Sequence, residues 1–154
     1  MMFKTHLVLG LIAALLSIKY LNPSSWAVFG TLLVIASLAP DIDLSKSTIG
    51  RKFWPVSSAI NFMFGHRGLI HTIFPPLIAA LALMIAGQGM LGIAFATGYM
   101  THLLADAATV QGIMLFFPFS RTRASGPVRT GGMLEYGIFF LASAGLLTLF
   151  VATP

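Results

Sequence analysis

Apolar residues run along this chain in five blocks, at about residues 6–21, 26–39, 71–86, 90–105 and 133–152. Each approaches the ~20 residues that carry a helix across ~30 Å of hydrocarbon. The shorter ones are tolerable where their ends are buried in a bundle or the bilayer thins. The pattern predicts an all-α, polytopic membrane helical bundle of about five transmembrane helices. The opening "MMFKTHLVLGLIAALLSI" imitates a signal peptide, but "KYLNPSSW" offers no clean small-x-small cleavage site, so it reads as a retained first span.

The breaks between blocks alternate. "NPSS" (22–25) and "GQG" (87–89) are tight and uncharged, whereas 40–70 and 107–132 are long. Within the first long break, "RKFWPVSSAINFMFG" (51–65) mixes basic and aromatic residues and reads as an interfacial segment on the membrane, broken by Pro55. Within the second, Phe116, Phe117 and Phe119 stand beside Arg121, Arg123 and Arg129, which fits a loop at headgroup level.

Composition supports this reading. The chain is 57% hydrophobic and 8% charged, with a mean hydropathy of +0.92. A soluble domain needs more surface charge. Residues 1–154 therefore form one integral membrane domain. There is no cysteine, so disulfides and thiolate metal sites are excluded. The net charge of +5 bears first on topology. Lys4, Lys46, Arg51, Lys52, Arg67, Arg121, Arg123 and Arg129 fall on the side of the N-terminus and the long loops, and Lys19 alone on the other. By the positive-inside rule that side is cytoplasmic and the C-terminus lies outside.

The same topology sorts the rare residues. All four histidines and all four acids fall at the cytoplasmic end. His6 opens span one, Asp41 and Asp43 close span two, His66 and His71 precede or open span three, His102 and Asp106 close span four, and Glu135 opens span five. Ionisable groups at the hydrocarbon boundary are costly unless paired or bound to metal. His102 and Asp106 are i and i+4 on one helix face and can grip one ion, although a helix-end His–Asp hydrogen bond is the simpler use of that spacing. Gly98, one turn earlier, allows a neighbouring helix to pack closely.

In "PDID", an extended chain would point Asp41 and Asp43 opposite ways, one as ligand and the other in support, with Asp41 the favoured ligand. His66 and His71 are about 140° apart on a helix, so one of them lies before the helix start. Arg67 and His71 can share a face. A Glu in a first helical turn suits the helix dipole whether or not Glu135 is also a ligand.

The motif order resembles the YdjM-like family of inner-membrane proteins, grouped as metal-dependent hydrolases. The resemblance rests on His6, "PDID" (40–43), "HRGLIHT" (66–72), "GYMTHLLAD" (98–106) and "QGIMLFFPFS" (111–120), and spans most of the chain. That family is similar in turn to the zinc-dependent phospholipase C and S1/P1 nuclease enzymes. The resemblance implies one metal site from Asp41, His66 or His71, His102 and Asp106, with His6 sharing Asp106 with a second metal. This chain has no histidine after His102, so a later His-containing site is incomplete.

The expected function is a metal-dependent phosphoester hydrolase acting on a membrane lipid at the cytoplasmic surface. One or two divalent ions would serve as cofactor: Zn²⁺ suits imidazole and carboxylate ligands best, and Mn²⁺ or Fe²⁺ also fits. Arg67 and Asp43 are the expected catalytic helpers. Arg121, Arg123 and Arg129 would hold the phosphate. Nucleic acid is not favoured as a partner, and the oligomeric state is left open. The alternatives are a metal or proton transporter and a non-enzymatic membrane protein with a structural metal. Transporters place charge near the midplane, whereas spans four and five carry none in their middles.

A topology reporter fused at Pro154 is expected to read as non-cytoplasmic. A cytoplasmic reading there would overturn the orientation.

Overall fold

The computed structural model describes residues 1–43 and 69–152. Among these, the secondary structure is helical, with no strands. Five α-helices follow in order: α1 (Phe3–Leu21), α2 (Trp26–Leu38), α3 (Phe74–Ile85), α4 (Gly89–Ala107) and α5 (Met133–Ala152). Short 3₁₀ turns, Ala39–Asp43 and Leu69–His71, follow α2 and precede α3. The expected interfacial segment, 51–65, lies outside the described residues.

The expectation of about five transmembrane helices is corrected in one respect. Among the described residues, only α1 and α5 are both long and apolar enough to cross a membrane. At 1.5 Å per residue, the 13 residues of α2 and the 12 of α3 reach only about 18–20 Å. α4 has 19 residues, but Thr97, Thr101, His102 and Asp106 dilute its apolar run.

Prolines and one glycine set the short lengths. α2 gives way to a 3₁₀ turn one residue before Pro40. α3 begins at Phe74 with Pro75 and Pro76 in its first turn, where a missing N–H costs nothing. A proline ring clashes with the helical carbonyl four residues back, so Pro75 and Pro76 bar His71 and Thr72 from the helix. His71 therefore sits on the 3₁₀ turn ahead of the helix, which settles the two expected placements in favour of preceding span three. At the other end, Gly87 takes a φ of 74° and terminates α3. "PDID" is a tight turn continuing from α2, so the condition under which Asp41 and Asp43 would point opposite ways, an extended chain, is not met.

α4 is the hub. It packs against α1, α2 and α3, while α5 packs on α1. Two glycines let the end of α2 come unusually close to its neighbours. A Cβ at Gly98 would collide with the Leu33 carbonyl, and a Cβ at Gly10 would collide with the Ser37 side chain. The last turns of α2 are thus clamped between α1 and α4. Phe29, Leu33 and Ala94 fill the apolar interior beside Ala14. A second cluster, Tyr99, Leu103 and Ile113, packs under the 3₁₀ turn that carries His71.

The segment between α4 and α5 is held by local pairing. Ile113 and Ala124 exchange both backbone hydrogen bonds at 2.9 Å, and Thr109 pairs with Val128. Arg121, Arg123 and Arg129 all remain exposed there, with Arg123 donating to the Gln111 carbonyl at 2.6 Å.

Gly98→Ala is expected to destabilise the protein by ~1–3 kcal/mol, because the obstructing atom is backbone and cannot turn aside. Gly137→Ala on α5, where a Cβ meets nothing within 4 Å, should be neutral or stabilising by up to ~1 kcal/mol. Thermal midpoints of the two variants in one detergent check the contrast.

Candidate metal centre

The clamp on α2 positions the central histidine. Ser37 lies in the last turn of α2, where backbone carbonyls have no helical partner. Its carbonyl oxygen is 2.9 Å from His102 Nδ1, in the buried interface with α4. A carbonyl only accepts, so Nδ1 carries the hydrogen, and in the neutral ring Nε2 then presents a bare lone pair. His102 is 0% exposed, and its Nε2 has no hydrogen-bond partner. A buried imidazole acceptor without a donor is unfavourable on its own. A metal ion would satisfy it, and a second ring nitrogen tied to a backbone carbonyl is the usual support for a metal-ligating histidine.

Oxygens and nitrogens from four other residues surround this atom. Asp41 Oδ1 and Asp106 Oδ2 each stand 3.9 Å from His102 Nε2. His71 Nε2 is 3.7 Å from Asp106 Oδ2, and His6 Nε2 is 3.3 Å from Asp106 Oδ1. Ligand atoms about 2.0–2.2 Å from one tetrahedral ion lie roughly 3.3–3.6 Å apart. The observed separations need only a small contraction. Two triads of donor atoms lie within 4.8 Å of one another: His6, Asp41 and His102, and His71, His102 and Asp106.

The triads share His102, and its single free lone pair can serve only one ion. They therefore form one centre of five residues. Asp106 is the group able to bridge, because its two oxygens face different histidines. The His6 and His102 rings stack at 3.9 Å, nearly parallel at 9°, while His71 meets His102 edge-on at 5.5 Å.

Each of these side chains has its own mechanical support. His6, Gly10 and Ala14 form the buried stripe of α1, at helical i, i+4 spacing. Tyr99 Oη donates to the Ile70 carbonyl at 2.7 Å and so pins the turn that carries His71. Thr109 Oγ1 donates to the Asp106 carbonyl at 2.7 Å. The Met1 amino nitrogen also donates to Asp106 Oδ1. Asp41, on the turn beyond α2, is largely buried. Burial raises its carboxyl pKa above the ordinary value, the charge of His6 pulls it down, and the nearby Asp106 adds to the rise. A divalent cation would offset the cost of holding both carboxylates ionised.

The structure thus brings together His6, Asp41, His71, His102 and Asp106. Glu135 stands apart from both triads. It is fully buried, but its Oε1 accepts from the Met2 amide at 2.5 Å and its Oε2 from the Gly131 amide at 2.6 Å. That makes it a clamp on backbone at the start of α5. Glu135, an expected ligand, belongs to neither group of donors, and each of its oxygens accepts from a backbone amide. His66 and Arg67 lie outside the described residues, as does the side chain of Asp43.

Ser37 and Tyr99 escaped the reading of the sequence. Ser37 acts through its backbone, so its identity carries no signal. Tyr99 sits beside Gly98 in an apolar run and resembles ordinary packing.

The family model of the YdjM inner membrane proteins matches residues 1–153. The chain is 31% identical over 136 residues to the uncharacterized protein YvsG of Bacillus subtilis (strain 168), covering 86% of this chain and 83% of that one. It is 34% identical over 96 residues to inner membrane protein YdjM of Escherichia coli (strain K12), and equally to that of Shigella flexneri. Those matches cover 55% of this chain but 46% of the relatives, so this chain aligns with about half the length of the YdjM proteins. No solved structure matches.

His102→Ala and Asp106→Ala are each expected to lose bound metal, whereas Glu135→Gln should keep it. Elemental analysis of the three purified variants checks this. Full metal content in both ligand variants would reduce the i, i+4 pair to a structural contact.

Proposed function

We propose, from the premise that the chain belongs to the YdjM inner membrane protein family, that it is a metal-dependent phosphoester hydrolase acting on a membrane lipid. The observation that carries this reading is the buried His102 Nε2, unpartnered and facing two carboxylates, with its other ring nitrogen tied to the Ser37 carbonyl. Such an arrangement supports an ion bound there.

His102, His71 and Asp106 would hold the first ion, with Asp41 beside them, and His6 with the second oxygen of Asp106 could hold another. Zn²⁺ is the best match, with Mn²⁺ or Fe²⁺ also possible for this donor set. A divalent ion bound there supplies Lewis acidity toward a phosphoryl oxygen and makes a nucleophile of water at neutral pH. The chain's own residues do the rest. Ser37 keeps the His102 ring in one tautomer. Asp106 orients His6 and His71. Arg121, Arg123 and Arg129 are exposed and would attract a phosphate headgroup. Arg67 and Asp43 are proposed as helpers on chemical grounds alone.

The two long apolar helices are consistent with membrane insertion. The proposed topology is multi-pass, with the N-terminus and the ligands on the cytoplasmic side and the shorter helices spanning within the bundle. A lipid substrate accounts for ligands at helix ends, since its phosphorus lies at that depth.

A second reading has a specific observation behind it. The five grouped donors are nearly all enclosed, and Asp41, the most accessible, is only 13% exposed. Four or more protein ligands would close the shell, and closed sites are usually structural. Activity separates the readings. Phospholipid hydrolysis that stops on chelation and returns with Zn²⁺ supports the enzyme. Absence of hydrolysis, with a large loss of thermal stability on chelation, supports a structural ion.

If the enzyme reading holds, removing a metal ligand abolishes turnover at any substrate concentration. Arg121→Ala or Arg123→Ala should instead raise the apparent KM by roughly tenfold with kcat nearly unchanged, as for a lost charged hydrogen bond. Steady-state kinetics on long-chain phospholipids and on a soluble dinucleotide check both points. Equal turnover of the soluble compound would remove the lipid from the proposal.

A further inference from the structure

α5 is the least embedded of the long helices: Glu135 is its one buried residue, and it packs on α1. Between the two helices runs an apolar trough of about 580 Å³, lined by Leu11, Leu15, Ser143, Leu146, Leu147 and Phe150. That volume lies within the ~300–1,000 Å³ of ligand sites. The trough is open: Leu147 and Phe150 are 65% and 69% exposed.

A cation stands beyond one end of the trough, about two turns of α1 before Leu11. Lys4, Leu11 and Leu15 are separated by seven and four residues, so they lie along one face of α1. Lys4 is exposed, with Nζ 4.6 Å from the Tyr136 ring centroid and 5.0 Å from that of Phe139. Those two aromatic residues stand on α5 at the same end, above Ser143. The aromatic faces hold the ammonium over the α1–α5 junction while leaving hydrogens free to donate. From Lys4 to Leu15 the helix rises about 16 Å at 1.5 Å per residue. About 10 Å of that rise separates Lys4 from Leu11, where the lining begins. A fixed positive charge at that distance ahead of an apolar trough is complementary to one kind of molecule: an anionic headgroup with a long acyl tail.

We propose that the α1–α5 trough is a binding site for one anionic phospholipid, its phosphate on Lys4 and one tail along Leu11, Leu15 and Leu147. This site is distinct from the metal centre. Lys4 and His6 are two residues apart on α1 and so diverge by about 200°, the one toward α5 and the other toward α4. The bound lipid fills a gap that α5 cannot close with its own side chains, and so helps seat the helix on α1.

The test uses the full chain purified in detergent, with native mass spectrometry and titrated phosphatidylglycerol or phosphatidylcholine. Wild type is expected to retain one phosphatidylglycerol per chain in preference to phosphatidylcholine. Lys4→Gln should lower phosphatidylglycerol affinity about fivefold, the ~1 kcal/mol of one cation at an anionic headgroup, and leave phosphatidylcholine unchanged. Leu147→Trp, which fills the trough, should weaken both. Thermal midpoints in lipid-free detergent establish that both variants are folded. Equal retention of the two lipids by wild type, or unchanged phosphatidylglycerol binding in either folded variant, overturns the proposal. So does competition by glycerol phosphate alone at the lipid's own concentration, which would make the trough irrelevant.

Discussion

One hydrogen bond organises the site: Nδ1 of His102 donating to the Ser37 carbonyl. It satisfies a carbonyl that the end of α2 would otherwise leave orphaned in an apolar interior. It also fixes which nitrogen of His102 is free. The bond forms only because α2 and α4 approach to near backbone contact at Gly98, and because Gly10 lets α1 come equally close to Ser37. Packing and ligand chemistry are therefore the same constraint. The helices that hold the bundle together at this end also deliver His6 from α1, Asp41 from the turn beyond α2, and His102 and Asp106 from α4.

Asp106 distributes that order further. Its two oxygens reach His6 on one side and His71 on the other, at 3.3 Å and 3.7 Å. His71 arrives on a short turn ahead of α3, pinned by Tyr99 and kept out of the helix by Pro75 and Pro76. Burying two carboxylates and three imidazoles in one place carries a large desolvation cost. An ion bound among them is the simplest physical reason for a fold to tolerate it.

Much of this was legible in the sequence, and what was not has identifiable causes. Helix existence followed from the five apolar blocks, because an unbroken apolar run of that length has few other uses. Helix bounds followed closely too, with block 26–39 becoming α2 (Trp26–Leu38) and block 133–152 becoming α5 (Met133–Ala152); the capacity of each helix to span a bilayer did not. Prolines at 40, 75 and 76 trimmed α2 and α3 below a bilayer's thickness, and polar residues in α4 carry its share of the site. The i, i+4 spacing of His102 and Asp106 pointed to a shared face, and Gly98 to a close neighbour. His6 alone looked ordinary; only the convergence of α1 and α4 brings its ring onto His102. Glu135 looked like a possible ligand, but backbone amides at Met2 and Gly131 occupy both of its oxygens, and such contacts leave no trace in a pattern of side chains.

The central claim is that His6, Asp41, His71, His102 and Asp106 are a metal centre and not a buried polar network. X-ray absorption spectroscopy at the Zn edge, on protein purified without added chelator, addresses this directly. The account predicts a nitrogen- and oxygen-only shell at about 2.0–2.2 Å, with the outer-shell scattering of at least two imidazoles. Protein that carries no stoichiometric metal, or metal whose spectrum lacks imidazole, would contradict it.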